Sequence, residues 1–243
     1  MRYIFKFHKV KILFTIIFFC ITFHPGFSQS LNYRELFGDD WKKASAFEKE
    51  NRVWMEPLIS KYNISYPLAI SIIFPELVRY SALRDKMEIT LLKTLYVNLG
   101  EDYADFSIGV FQMKPSFAES IREQTPAVGS QITGIVFAQI SEFDNIIPFR
   151  KSIVKDLEDP KTEIKYLVAF IKICKLKFNA KNGDEFSQIR FLATAYNYGI
   201  NKTAVEIQNM SDKKYFNTKL FKTENYSYSD VSVFWYKEYL SGN

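Results

Sequence analysis

Apolar residues recur along most of this chain at the three- and four-residue spacing of helices that face a core. Over residues 40–62, Trp41, Ala44, Phe47, Trp54, Leu58 and Ile59 fall on one helical face, and Pro57 can divide the stretch in two. Residues 68–80 are strongly apolar and contain Pro75. Asp85-Lys86-Met87-Glu88 has the form of a capping box, and Gly100 stands where the helix it opens should stop. Between them Ile89, Leu92, Leu95 and Tyr96 line one side. A short helix is expected over residues 115–123, after a turn-like Ser107-Ile108-Gly109, whereas residues 124–140 show no clear period. Asp159-Pro160 reads as an N-cap followed by a first helical residue, with Ile164, Leu167, Val168, Ile171 and Cys174 in phase behind it. Phe186, Ile189, Leu192, Ala193 and Tyr196 make a further helix closed by Gly199, and a last one is expected over 230–240. No alternating strand pattern stands out. The expected fold class is therefore all-α, or nearly so.

The first 28 residues follow a different rule. Arg2, Lys6, Lys9 and Lys11 form a basic start, residues 12–23 are an uncharged apolar run, and Pro25-Gly26-Phe27-Ser28 ends it. That is the layout of a secretory signal peptide, with cleavage expected after Ser28. Twelve apolar residues are too few for a bilayer span, which needs about 20, so no stable membrane span is expected after cleavage. Cys20 lies inside the run, so Cys174 is the only cysteine of the mature chain and no internal disulfide can form. Loss of four basic residues also takes the net charge from +5 to +1. The apparent basicity then belongs to targeting and gives no reason to expect a nucleic-acid partner. Both histidines, His8 and His24, are in the same segment. A mature chain without histidine has no imidazole for metal ligation or a catalytic triad, and no metal or cofactor is expected. Acid–base chemistry would rest on carboxylates, Tyr or Lys.

Among the carboxylates, Glu76 sits in Ile72-Ile73-Phe74-Pro75-Glu76-Leu77. Burial among such neighbours disfavours the charged form, raises the pKa and suits a general acid. Pro75 removes a backbone donor and can turn the side chain into a cleft. Taken alone, a Glu on a helix is more often a solvated surface residue. Glu88, Glu101, Asp102 and Asp105 are its rivals, and Glu88 is explained as a cap. Two later segments alter the balance. In Gly109-Val110-Phe111-Gln112-Met113-Lys114-Pro115-Ser116-Phe117-Ala118, a glycine allows close backbone approach, and Gln112 offers both donor and acceptor to sugar hydroxyl or acetamide groups. In Ala195-Tyr196-Asn197-Tyr198-Gly199, a small-residue helix ends in polar aromatics.

In this order, the segments resemble the soluble lytic transglycosylases and their relative, goose-type lysozyme. That family has a Glu ending a hydrophobic helix, a Gly-Leu-Met-Gln-like turn before a Pro-Ser-Thr-Ala-like helix start, and a helix ending in Ala-Tyr-Asn-x-Gly. Asp159-Pro160 and Tyr166-Leu167 are similar to two further family features. The likeness covers about residues 65–205, and the Ala-Tyr-Asn-x-Gly ending is its most specific part. Two departures stand out. Leu77 occupies the place of a Ser that usually follows the catalytic Glu. Glu76 and Gln112 lie 36 positions apart, more than the family norm, which fits one inserted helix at about 86–99.

The resemblance implies a lysozyme-like helical domain with a glycan-binding groove over 65–205, preceded by a helical segment at 29–64 and followed by a helical extension at 206–243 packed on the domain. It implies cleavage of the MurNAc-GlcNAc β-1,4 bond of peptidoglycan, with Glu76 as general acid and then base, giving 1,6-anhydro-MurNAc ends. Gln112, Tyr196 and Asn197 would hold sugars or orient Glu76, and Phe111 and Tyr198 are expected either as stacking surfaces or as core. The expected partner is peptidoglycan glycan strands and the expected location periplasmic, with secretion as the other outcome of export. Three competing readings are a hydrolytic muramidase, a catalytically inactive peptidoglycan-binding or scaffold protein, and an exported helical interaction protein.

Overall fold

Two helices with wide buried apolar faces organise the described chain. The computed structural model describes residues 31–82, 86–178, 184–217 and 225–242, with side chains over 81–89 outside that description. The described chain from Tyr33 onward is one compact unit. Its elements are α1 (Tyr33–Phe37), α2 (Asp39–Ser60), α3 (Tyr66–Ala82), α4 (Lys86–Leu99), α5 (Pro115–Gln124), α6 (Ile146–Leu157), α7 (Pro160–Lys177), α8 (Glu185–Tyr198) and α9 (Ala204–Met210). A short β1 (Lys214–Phe216) and β2 (Tyr226–Ser227) then lead into α10 (Tyr228–Gly242). The protein is thus predominantly helical. The signal-like segment and the expected cap at Asp85 lie outside the described residues.

α3 is apolar nearly all round, which is the signature of a helix enclosed by others, while α7 pairs a wide buried face with a lysine-bearing one. Ala69, Ile70, Ile72, Ile73, Phe74 and Val78 of α3 have no exposed surface, and neither do Ile164, Leu167, Val168, Phe170, Ile171 and Cys174 of α7. α2, α8 and α10 pack around α3, while α5 and α6 pack against α7. The aromatic residues cement this arrangement. Phe74 stacks on Trp235 of α10 at 5.1 Å and meets Trp41 of α2 edge-on at 4.7 Å. Such ring pairs add to the stabilisation from burial itself.

Neither proline divides its helix. Pro57 lies inside α2, where the carbonyl it leaves without a donor belongs to Val53, a residue 80% exposed and open to water. Pro75 lies inside α3, and one residue beyond the carbonyl it deprives, that of Ile72 accepts a hydrogen bond from the Tyr228 hydroxyl of α10 at 3.0 Å. Asp159 caps α7 as the sequence suggests, its side chain accepting from the Lys161 and Thr162 amides.

The segment without a clear period, 124–140, begins as a 3-10 turn at Thr125–Gln131 and ends at another, Ile140–Glu142. Arg122 of α5, buried, pins it. Its guanidinium donates to the Ala138 carbonyl at 3.0 Å, to Ser152 and Asp156 of α6 at 2.8 Å, and to the Tyr166 hydroxyl of α7 at 2.7 Å. Two short strands fall within the expectation of an all-α fold or nearly so. β1 and β2 pair antiparallel, and Ile108 bridges Met113. Strands of two and three residues are too short to show a period of two. No described helix is long and apolar enough to cross a membrane.

Candidate functional site: a buried carboxyl beside a glycine turn

Glu76 emerges from the second half of α3, on the side facing α8 and α10 rather than solvent, and its side chain is 3% exposed. Burial pushes its carboxyl above the ordinary glutamate range. Against that, the positive charge of Arg79, hydrogen bonds from Tyr228 and Arg79, and the charge of Lys114 favour the ionised form. Desolvation is the largest of these influences, so the net shift is upward. Arg79 Nη1 donates to both carboxyl oxygens, at 3.2 and 3.0 Å. The same guanidinium donates through Nε to the Asn217 carbonyl at 3.3 Å and lies over the Phe216 ring of β1 at 4.6 Å. At 23% exposure, the Arg79 side chain is the partner of Glu76 nearer to solvent.

The second part is the turn between Ile108 and Met113. These two residues exchange backbone hydrogen bonds at 2.8 and 3.0 Å, so residues 109–112 must reverse direction in four positions. Gly109 does so with φ +75°, where a side chain would be strained. There is no room for one either: a Cβ would fall 2.3 Å from the Leu157 carbonyl oxygen and 2.4 Å from Oε1 of Glu163. Gln112 also has positive φ, +50°, uncommon for a residue with a side chain. Its amide nitrogen donates to the Gly109 carbonyl at 2.8 Å and closes the turn. The Gln112 amide oxygen and its second N–H remain for a ligand.

The third part is the end of α8. The Tyr196 hydroxyl donates to the Phe111 carbonyl at 3.0 Å, which ties α8 to the turn. Tyr196 also senses the charges of both Glu76 and Glu163, and burial keeps its phenol protonated. The ordered trio of segments thus converges: Lys114 at the exit of the turn and Tyr196 on α8 both act electrostatically on Glu76 or feel it. Asn197 is half-buried and hydrogen-bonds Tyr215 of β1. Tyr198 is half-buried too, with Lys202 over its ring at 5.3 Å. Phe111 is the exception among the expected contact residues. Its ring has no exposed surface and meets Phe47 of α2 at 6.1 Å, so it is core, and only its main chain belongs to the site.

Of the rival carboxylates, the Glu88 side chain lies outside the described residues. Glu101, Asp102 and Asp105 are exposed. Glu101 is raised by partial burial and by Glu119, Asp105 and Asp102. Asp105 accepts from Lys114 and Ser116 at 2.7 Å each and fixes the start of α5. Three participants escaped the sequence reading: Arg79, Tyr228 and Glu163. Arg79 was three residues from Glu76 and open to detection as an i,i+3 partner. Tyr228 reaches the site only because α10 packs on α3, which no local pattern announces. A cavity of about 570 Å³ opens between α2 and α10, lined by residues such as Trp41, Lys49, Arg52, Trp235 and Tyr239, and its lining contains none of the site residues. Among the described residues, no group of three or more His, Cys, Asp or Glu is arranged to hold a metal ion.

No protein-family model, curated protein or solved structure matches this chain.

Proposed function

We propose that this chain is an exported peptidoglycan lytic transglycosylase that uses Glu76 as its single general acid and base. The observation that carries the reading is a buried carboxyl, pushed above the ordinary glutamate range, gathered with a glycine turn and a Tyr-Asn helix end. The order of these segments along the chain, and their resemblance to the lytic transglycosylase motifs, supplies the substrate. Protonated Glu76 would donate to the glycosidic oxygen as the bond from MurNAc C1 breaks. The 6-hydroxyl of the same MurNAc would then attack C1, returning its proton to the Glu76 carboxylate and closing a 1,6-anhydro ring. One carboxyl serves both steps, so no second one at the spacing of ordinary glycosidases is needed. Gln112 and Asn197 would contact the sugars, while Tyr196 would position the turn. Access to Glu76 requires the groups packed on it to move, and Arg79 is the one nearest solvent. The N-terminal pattern supports export, with the periplasm as the proposed location.

A second reading has its own observation. A carboxyl this buried and paired with an arginine also suits a structural ion pair in a non-catalytic peptidoglycan-binding protein. Mass spectrometry of purified peptidoglycan incubated with wild type and Glu76→Gln separates the readings. Anhydro-muropeptides from wild type alone support the transglycosylase, and reducing-end products shift it to a hydrolytic muramidase. Binding without products from either protein supports the binding module.

A further inference from the structure

We infer that Glu163 is a positioning residue for this reaction: its buried carboxyl anchors the back of the 109–112 turn and thereby holds Gln112 and Tyr196 in register with Glu76. The inference rests on the reading of Glu76 as the reacting acid, but the anchoring itself can be measured without it.

Glu163 stands in the first turn of α7 with no exposed surface. The charged or titratable groups that act on it are Asp159, at the cap of its own helix, and Tyr196 of α8, neither of them a cation. What it faces instead is main chain. Oε1 accepts from the Phe111 amide at 3.2 Å, and the Val110 amide is a second backbone donor to the carboxyl. Oε2 is buried and has no hydrogen-bond partner among the described residues. Burial pushes this group well above the usual glutamate range. In either protonation state the carboxyl presents an oxygen acceptor to two amides, which is what a four-residue reversal with two positive-φ positions requires.

The geometry around that acceptor is interlocked. The missing side chain of Gly109 leaves the space that Glu163 Oε1 and the Leu157 carbonyl occupy. The next residue but one, Phe111, is gripped at both ends, its amide by Glu163 and its carbonyl by the Tyr196 hydroxyl. Gln112 follows at once, in a sparsely populated conformation that persists only when its surroundings over-determine it. Glu163 and Tyr196 supply that determination from opposite sides. Removing the carboxyl would free one end of the grip and let Gln112 and Tyr196 shift relative to Glu76. A misplacement of about 1 Å at a reacting site can cost about 10²-fold in rate.

The test compares the full chain with Glu163→Gln and Glu163→Ala, scored by kcat and KM for release of muropeptides and by hydrogen exchange at the Val110 and Phe111 amides. Gln keeps the acceptor oxygen, so that variant should retain kcat within about threefold and keep both amides protected. Ala should lower kcat about 10- to 100-fold with KM changed less than about threefold, and should speed exchange at those two amides more than at the amides of α7 and α8. Should the Ala variant fail to fold, Glu163→Met keeps the bulk, lacks the acceptor and carries the same expectation. Wild-type kcat in the Ala or Met variant, or a Gln variant as impaired as Ala, overturns the positioning role. A wild type that makes no product would defeat the proposed reaction alone, because the amide exchange still decides whether Glu163 holds the turn. Equal exchange in all variants would sink the anchor itself.

Discussion

Two buried glutamate–arginine pairs in neighbouring helices have different surroundings, and the difference teaches how far a buried carboxyl is compensated. Glu48 pairs with Arg52 in α2, Glu76 with Arg79 in α3, and both glutamates are 2% exposed. Each has a tyrosine from another part of the fold. Around Glu48 every donor converges. Arg52 Nε meets Oε1 at 3.0 Å and Nη2 meets Oε2 at 3.2 Å, while the Tyr66 hydroxyl donates to Oε1 at 2.7 Å. The guanidinium is further held over the Tyr239 ring at 5.0 Å. This is a two-nitrogen, two-oxygen fork, the strong form of the pair. Around Glu76 the donors are partly spent elsewhere. Arg79 offers only Nη1, its Nε serving the Asn217 carbonyl, and the Tyr228 hydroxyl donates to the Ile72 carbonyl as well as interacting with Glu76. Burial then outweighs compensation and pushes the Glu76 carboxyl above the ordinary glutamate range. The same two residue types give a forked clamp in one helix and a desolvated, only partly compensated carboxyl in the next.

The comparison is broken most directly through activity. Glu76→Gln should lower cleavage by about 10²- to 10⁴-fold, the usual worth of a general acid. Glu48→Gln should leave the rate per folded molecule within a few-fold. Equal losses in both variants would make Glu76 another clamp. Stability should rank them the other way. Glu48→Ala strands Arg52 and Tyr66 and should cost about 3 kcal/mol, the lower end for breaking a buried pair, since Arg52 is partly exposed. Denaturant unfolding at neutral pH measures it, and a change below about 0.5 kcal/mol, the range of ordinary surface substitutions, would refute the clamp. Gly109→Ala tests the turn that distinguishes the Glu76 region. Strain at positive φ alone costs about 1–3 kcal/mol, and the clash with the Leu157 carbonyl leaves no relaxed alternative. A stable, fully active variant would show that the turn's geometry is irrelevant to the site. The smallest effect concerns pH. Arg79 lowers the Glu76 pKa, so Arg79→Met should raise it further. In the proposed reaction the protonated acid is the active form and the rate falls as pH rises through that pKa, so the descending limb of the rate profile should move to higher pH. A limb that stays in place, or moves down, would deny Arg79 its influence on the acid.

Much of the helical frame was legible because helices advertise themselves through periodicity and caps. Asp159-Pro160 and Gly199 end their helices where expected, and the apolar stretch at 68–80 became the central α3. α6 was missed although its signals are ordinary: Asn145 caps it, and Phe149, Ile153 and Leu157 are buried at four-residue spacing. Pro57 was read as able to divide its stretch because the cost of a lost donor is local, whereas its relief by water at the exposed Val53 is not. Within the site, Glu76, Gln112 and Tyr196 were visible from composition and order, and of the two roles open to Phe111, stacking surface or core, the ring takes the core.

The sequence alone determined the helical class and the apolar surroundings of Glu76. It also placed a glycine where residues 109–112 reverse. Each of these depends on neighbours within a few positions, through hydrogen-bond periodicity or the freedom of a residue without a Cβ. Only the tertiary structure decided the chemical state of that carboxyl and what holds the turn. Desolvation depends on α8 and α10 closing over α3, and compensation depends on how Arg79 and Tyr228 divide their hydrogen bonds. Glu163, 52 residues beyond the Phe111 amide it accepts from, became a neighbour only when α7 packed behind the turn.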